Sequence, residues 1–161
     1  TSPLIAITAL VPKTGTIYKL QGDAEFYFPF FKITTLKLGI KNAYIINDFL
    51  FDNDLNRIGG FNLLRGFDEQ SLYTSLYSVW TLEYRLLLEQ NSFFGLFFDQ
   101  AYTQKNTYTE AVNDFPFGFG ASINFQTTPG IFSVMYAVGK QKGNPISFQS
   151  AKIHFGFVSL F

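Results

Sequence analysis

The sequence predicts an all-β protein, an antiparallel β-barrel of the membrane-spanning kind, and three observations carry that prediction. Apolar and polar residues alternate with period two along almost the whole chain, and no sustained 3.6-residue period competes with it. Aromatic residues make up 19% of the 161 positions and charged residues only 15%, against about 25% charged in ordinary soluble domains. The polar face of the alternating runs is built mainly from Gly, Ser, Asn and Thr, with a few charges of both signs. That face suits a lumen better than the Lys- and Glu-rich exterior of a soluble β-sandwich.

Eight runs follow in order: Ile5–Val11, Ile17–Phe28, Thr34–Ile46, Ser78–Leu88, Phe93–Thr103, Gly118–Gln126, Ile131–Gly139 and Ala151–Phe161. The first alternates poorly, so the count is seven or eight. Most runs have about 9 to 12 residues, the length a tilted strand needs to cross a bilayer. In Ser78–Leu88 one face carries Trp80, Leu82, Tyr84, Leu86 and Leu88, and the other Val79, Thr81, Glu83 and Arg85. The next run sets Phe94, Leu96 and Phe98 against Gly95, Phe97 and Asp99; the one after sets Phe119, Ile123 and Phe125 against Gly118, Gly120, Ser122 and Asn124. Aromatics also gather at run ends, as at Tyr27, Phe28, Phe30 and Phe31, in the manner of an interfacial girdle. Pro129–Gly130 and the segment KQKGNP at 140–145 read as turns. A long loop of about residues 47–77 interrupts the pattern.

The composition narrows the function classes. Lys+Arg and Asp+Glu balance at 12 each, so no basic field recruits nucleic acid. The absence of cysteine removes thiolate metal sites and cysteine catalysis, and no metal or cofactor is expected. Apolar runs such as LIAITALV are far short of the roughly 20 residues of a membrane-spanning helix. The opening TSPLIAITALVP has no initiating Met and no basic n-region, so the expectation is a mature chain or a fragment. FGFGASINF has glycines on one strand face and no following helix, unlike a phosphate loop. The single histidine, His154, falls on the lumen face of the last run, where a lone His is more often a structural hydrogen-bonder than a catalytic base; no enzymatic activity is expected.

Two segments carry more specific information. The last run, AKIHFGFVSLF, ends on an aromatic residue, and its His154, Gly156 and Phe161 resemble the terminal-strand signal of bacterial outer-membrane barrels, although Ser159 stands where that signal usually has an apolar residue. The loop contains IGGFNLLRGFDEQ at 58–70, with TLEYR and FFDQ in the two long runs that follow. This combination resembles the BamA/TamA superfamily of outer-membrane insertases and transporters, over about Ile17 to Phe161.

The resemblance implies that the loop folds back into the barrel. Arg65, with Gly66 and Phe67, would form its tip, and Arg65 would pair in the lumen with Glu83 and Asp99. The face assignment puts Glu83 and Asp99 on the polar side independently of any family. A guanidinium can take two carboxylates at once through its planar fork. Asp68 and Glu69 are competing local partners for Arg65, and Arg85 or Lys37 are alternative partners for Glu83. Barrels of that superfamily have about sixteen strands, so the resemblance makes residues 1–161 the C-terminal part of a larger barrel, the remaining strands lying elsewhere or on another polypeptide. It implies location in the bacterial outer membrane, contact with the lipid bilayer, and unfolded or secreted protein clients. A passive outer-membrane pore or structural barrel is the alternative.

Overall fold

The computed structural model describes residues 16–47, 50–89 and 91–159. The expected first run, Ile5–Val11, and the terminal Phe161 lie outside the described residues. The strands are β1 (Tyr18–Phe31), β2 (Thr34–Ile46), β3 (Asn56–Ile58), β4 (Leu72–Thr74), β5 (Leu76–Glu89), β6 (Ser92–Asn106), β7 (Ala111–Asp114), β8 (Phe117–Thr127), β9 (Gly130–Lys140) and β10 (Lys152–Ser159). One antiparallel sheet runs in the order β1-β2-β5-β6-β8-β9-β10, with β7 also on β6, and β3 and β4 form a separate two-stranded ribbon. The fold is that of a β-barrel portion, with β1 and β10 at the two ends of the strand order.

The alternation in the sequence becomes two chemically different walls. Trp80, Leu82 and Tyr84 on β5, Phe94, Leu96 and Phe98 on β6, and Ile153, Phe155 and Phe157 on β10 are all exposed, whereas Val79, Glu83, Phe97 and Asp99 are buried on the other side. Register keeps like with like, since Leu82 lies opposite both Leu38 and Phe98. Neighbouring outward rings touch: Phe132 stacks on Phe125 at 5.6 Å between ring centres and meets Phe157 at 4.7 Å. An apolar wall of this extent in water would promote aggregation, while in a bilayer it is the lipid-facing band of a barrel.

The two ends of the sheet differ. At one end the strands are joined by two-residue connections at 32–33, 90–91 and 128–129, the tight hairpins that favour adjacent antiparallel strands. Asn91 takes the left-handed conformation (φ 59°) in the second of these, which Asn tolerates better than most residues. The other end carries the long connections, including all of 47–75.

One strand departs from the sequence reading. The partner of β6 is broken into β7 and β8 at Phe115–Pro116, with Thr103 opposite Asp114 and Gln100 opposite Phe117. Proline has no N–H for the ladder, but the Pro116 carbonyl still accepts from the Ala101 N–H at 2.8 Å.

The long loop leaves β2, passes a 3-10 turn at Asp52–Asp54, and extends as the β3–β4 ribbon, in which Asn56 pairs with Thr74 and Ile58 with Leu72. Its base is anchored by Leu50 and Leu55 packed on Ile45. Its tip is anchored by Ile58, Leu64 and Phe67 packed on Val79 and Ala101 of the inner wall. Each fully buried aliphatic side chain of this kind contributes about 1.5–3 kcal/mol, enough to hold the ribbon inside the curved sheet.

The lipid-facing assignment predicts that Leu82→Arg, in the middle of the outward face of β5, destabilises the protein assembled in lipid vesicles by about 2–4 kcal/mol. Denaturant titration of the vesicle-bound protein reads this directly; an unchanged midpoint would contradict the assignment.

Candidate functional site

The site is assembled by the register of two neighbouring strands. Glu83 on β5 lies opposite Phe97 on β6, and Asp99 lies opposite Thr81. The two carboxylates are therefore diagonal neighbours on one face, a separation of about 7–8 Å between backbones that one guanidinium can span. The loop delivers that guanidinium. Arg65 donates from Nε to Asp99 Oδ2 at 2.7 Å and from Nη2 to Asp99 Oδ1 at 2.6 Å, while Nη1 reaches Glu83 Oε2 at 2.6 Å. The Arg65 backbone N–H adds a further bond to Asp99 Oδ2 at 3.1 Å. The guanidinium plane rests on the Phe97 ring, 3.6 Å from its centre.

All three charged groups are buried, and Asp99 is wholly inaccessible. Such groups persist in low dielectric only when nearly every donor and acceptor is matched. Here Thr81 Oγ1 also donates to Asp99 Oδ1 at 2.9 Å, and Arg85 Nε donates to Glu83 Oε1 at 2.6 Å. Arg85 is itself placed between aromatic faces, 4.3 Å from the centre of Phe93 and 5.4 Å from that of Tyr27. Two guanidiniums and two carboxylates thus form a charge-balanced group. Burial works against the Arg65 charge, but the hydrogen bonds and attraction of Asp99 and Glu83 outweigh it and hold its pKa above the ordinary guanidinium value.

Backbone contacts fix the rest of the tip. Gly66 adopts φ +94°, and a Cβ there would stand 2.7 Å from the Val138 carbonyl carbon and the Gly139 nitrogen. A Cβ on Gly118 would stand 1.7 Å from the Arg65 carbonyl oxygen, and one on Gly139 would stand 2.4 Å from that of Gly66. Gly118 and Gly139 are register partners on β8 and β9. The loop backbone therefore lies directly on a bare patch of wall, an approach open only where both surfaces lack side chains.

The structure brings together Arg65, Gly66, Phe67, Glu83 and Asp99. Glu83 takes Arg65 and Arg85 at once instead of choosing between them. Lys37 pairs with Glu25 at 2.7 Å, Asp68 pairs with Lys152 at 2.8 Å, and Glu69 accepts from the Phe61 N–H at 3.1 Å, so none of the three competes for the clamp. His154 and Gly156 share the inner face of β10. His154 Nε2 is buried with no hydrogen-bond partner among the described residues, and the Phe61 ring lies against Gly156. Among the described residues no group of three or more acidic, His or Cys side chains is placed to hold a metal ion. The sequence reading missed the Gly118–Gly139 patch, the Phe97 platform and the role of Thr81. Paired glycines inside strands were the available signal for the first.

The chain thus forms a β-barrel portion with a long loop held on its inner wall by a buried arginine. The Omp85 superfamily domain matches residues 5–158, and the chain belongs to that superfamily. None of the curated proteins and none of the solved structures matches it. Omp85 superfamily proteins reside in the outer membrane of Gram-negative bacteria, and membership places this chain, at the level of the superfamily, in outer-membrane protein assembly or translocation.

The bare glycine patch predicts that Gly118→Val, which leaves every charged group of the clamp intact, lifts the tip off the wall. Limited proteolysis at 59–71 should speed up by about tenfold or more, as expected when a packed segment joins the low-stability end of the structure. Unchanged protection of the loop would show that the close approach is dispensable.

Proposed function

We propose that this chain is the C-terminal part of the barrel of an outer-membrane insertase or transporter, in which the loop clamped by Arg65 is part of the working machinery. The observation that carries this reading is the clamp itself. A passive pore gains nothing from pinning a ribbon across its lumen with a fully matched buried arginine, and such a group costs several kcal/mol of desolvation per ion before it is matched. A protein that handles other polypeptides has a use for a lumen element with a defined docked position.

On this reading the chain performs no covalent chemistry. Its outward face meets the lipid bilayer, and its short connections face the periplasm while its long ones face the exterior, as in other outer-membrane barrels. Clients are unfolded or secreted proteins. The seam lies at the edge of β10 that has no partner strand among the described residues; its other edge pairs with β9 along Lys152–Ser159, and the open edge suits an incoming strand. Gly156 contributes no side chain of its own to the inner face of that strand, where the Phe61 ring lies against it. The strands that complete the barrel beyond β1 belong to the same polypeptide or to another one.

Arg65→Ala tests the reading. Removing one partner of a buried charge group costs about 3–5 kcal/mol, less where water enters. Reconstituted in proteoliposomes, the variant should lose about tenfold or more of client insertion or translocation while circular dichroism reports unchanged strand content. Full retention of that activity, or a parent protein that only conducts ions, would favour the passive pore.

A further inference from the structure

We propose that Phe61 and Asp68, on the same loop, are positioning residues for the terminal strand: they brace β10 against β9, so that its edge is released when the loop withdraws. The inference rests on the seam placed at β10 above. Three features of the loop carry it.

The first is a knob and a notch. A Cβ on Gly156 would stand 2.7 Å from the tip of the Phe61 ring, so the ring occupies the space that a side chain on β10 would need. The ring cannot simply move aside, because it also packs against Phe97, Met135 and Ala137. It therefore bridges β6, β9 and β10 from inside. The second is an ion pair: Lys152 Nζ, four residues away on the same face of β10, reaches Asp68 Oδ1 at 2.8 Å and Oδ2 at 2.9 Å. Lys152 is partly exposed and Asp68 largely exposed, so the pair mainly sets position and the ring supplies most of the hold.

The third is that the loop itself fixes where the ring sits. The Phe61 N–H is held by Glu69 Oε2 at 3.1 Å, and the preceding Gly60, at φ +101°, donates to the Leu64 carbonyl at 3.0 Å. A Cβ on Gly60 would fall 1.8 Å from the Glu69 carboxylate. The knob is thus locked to the tip that Arg65 holds, and movement of the tip carries the knob out of its notch. Among the described residues β10 pairs with β9 alone, through eight residues, so a contact from inside adds directly to its hold in the sheet.

Hydrogen exchange on the native protein in lipid nanodiscs tests the brace without requiring any client. Phe61→Ala should speed exchange of those amides within Ile153–Val158 of β10 that bond to β9 by about tenfold or more and leave those of β5 and β6 within about threefold, because local opening is confined to the unbraced element. Asp68→Lys should speed β10 exchange more modestly, and adding Lys152→Asp should restore it. Unchanged β10 exchange in Phe61→Ala, equal acceleration of β5 and β6, or no rescue in the double exchange of charges would overturn the proposal. Variants that exchange as described, in a parent protein that inserts no client, would count against the insertase reading while leaving the brace in place.

Discussion

A buried guanidinium is the constraint on which the arrangement depends. Arg65 is brought into the lumen by a connection of nearly thirty residues and meets two carboxylates on adjacent strands. Each group alone would be costly to bury, and each makes the burial of the others tolerable. The group works because β5 and β6 hold a register that sets Glu83 and Asp99 on one face, diagonal to each other with Phe97 between. A one-residue slip of either strand would turn one carboxylate to the lipid side. The clamp and the strand pairing therefore enforce one another.

The glycines show the same dependence from the backbone side. Gly66 allows the chain to turn at φ +94° immediately after Arg65, and Gly118 with Gly139 lets that turn lie against the wall. With the tip lying on the bare patch, Arg65 donates to Asp99 through its own backbone N–H as well as its side chain. The aromatic residues complete the setting: Phe97 beneath Arg65, and Phe93 with Tyr27 about Arg85, place aromatic faces against both cations. From this clamp the loop extends toward both sides of the sheet, with Lys41 of β2 bonded to the Asn62 carbonyl at 2.9 Å and Lys152 of β10 bonded to Asp68.

The fold was legible in the sequence because a barrel wall is a period-two object. Trp80, Leu82 and Tyr84 declare one face and Val79, Thr81, Glu83 and Arg85 the other, and nothing in the tertiary structure overrides that parity. The partners of Arg65 were legible for the same reason, since parity placed Glu83 and Asp99 on the lumen face, and the RGF tip with its two acidic strands supplied the pairing. What parity does not contain is distance across the lumen. It marks Gly118 and Gly139 as small residues facing inward but not as the surface beneath Gly66. It places Gly156 on the inner face but does not reveal that Phe61, ninety-five positions earlier, fills the space above it. Likewise Asp68 and Glu69 stand next to Arg65 in sequence, yet the turn through Gly66 sends them to Lys152 and to the Phe61 N–H.

The most direct measurement of the central claim is the coupling energy between Arg65 and Asp99. In a double-mutant cycle built from Arg65→Ala, Asp99→Ala and the double variant, stabilities are read by denaturant titration in lipid vesicles. A buried, doubly hydrogen-bonded pair predicts a coupling within the range of about 0.5–3 kcal/mol found for directly interacting residues, toward its upper end. A coupling indistinguishable from zero would mean that the two side chains do not support one another, and the clamp would not be what holds the loop.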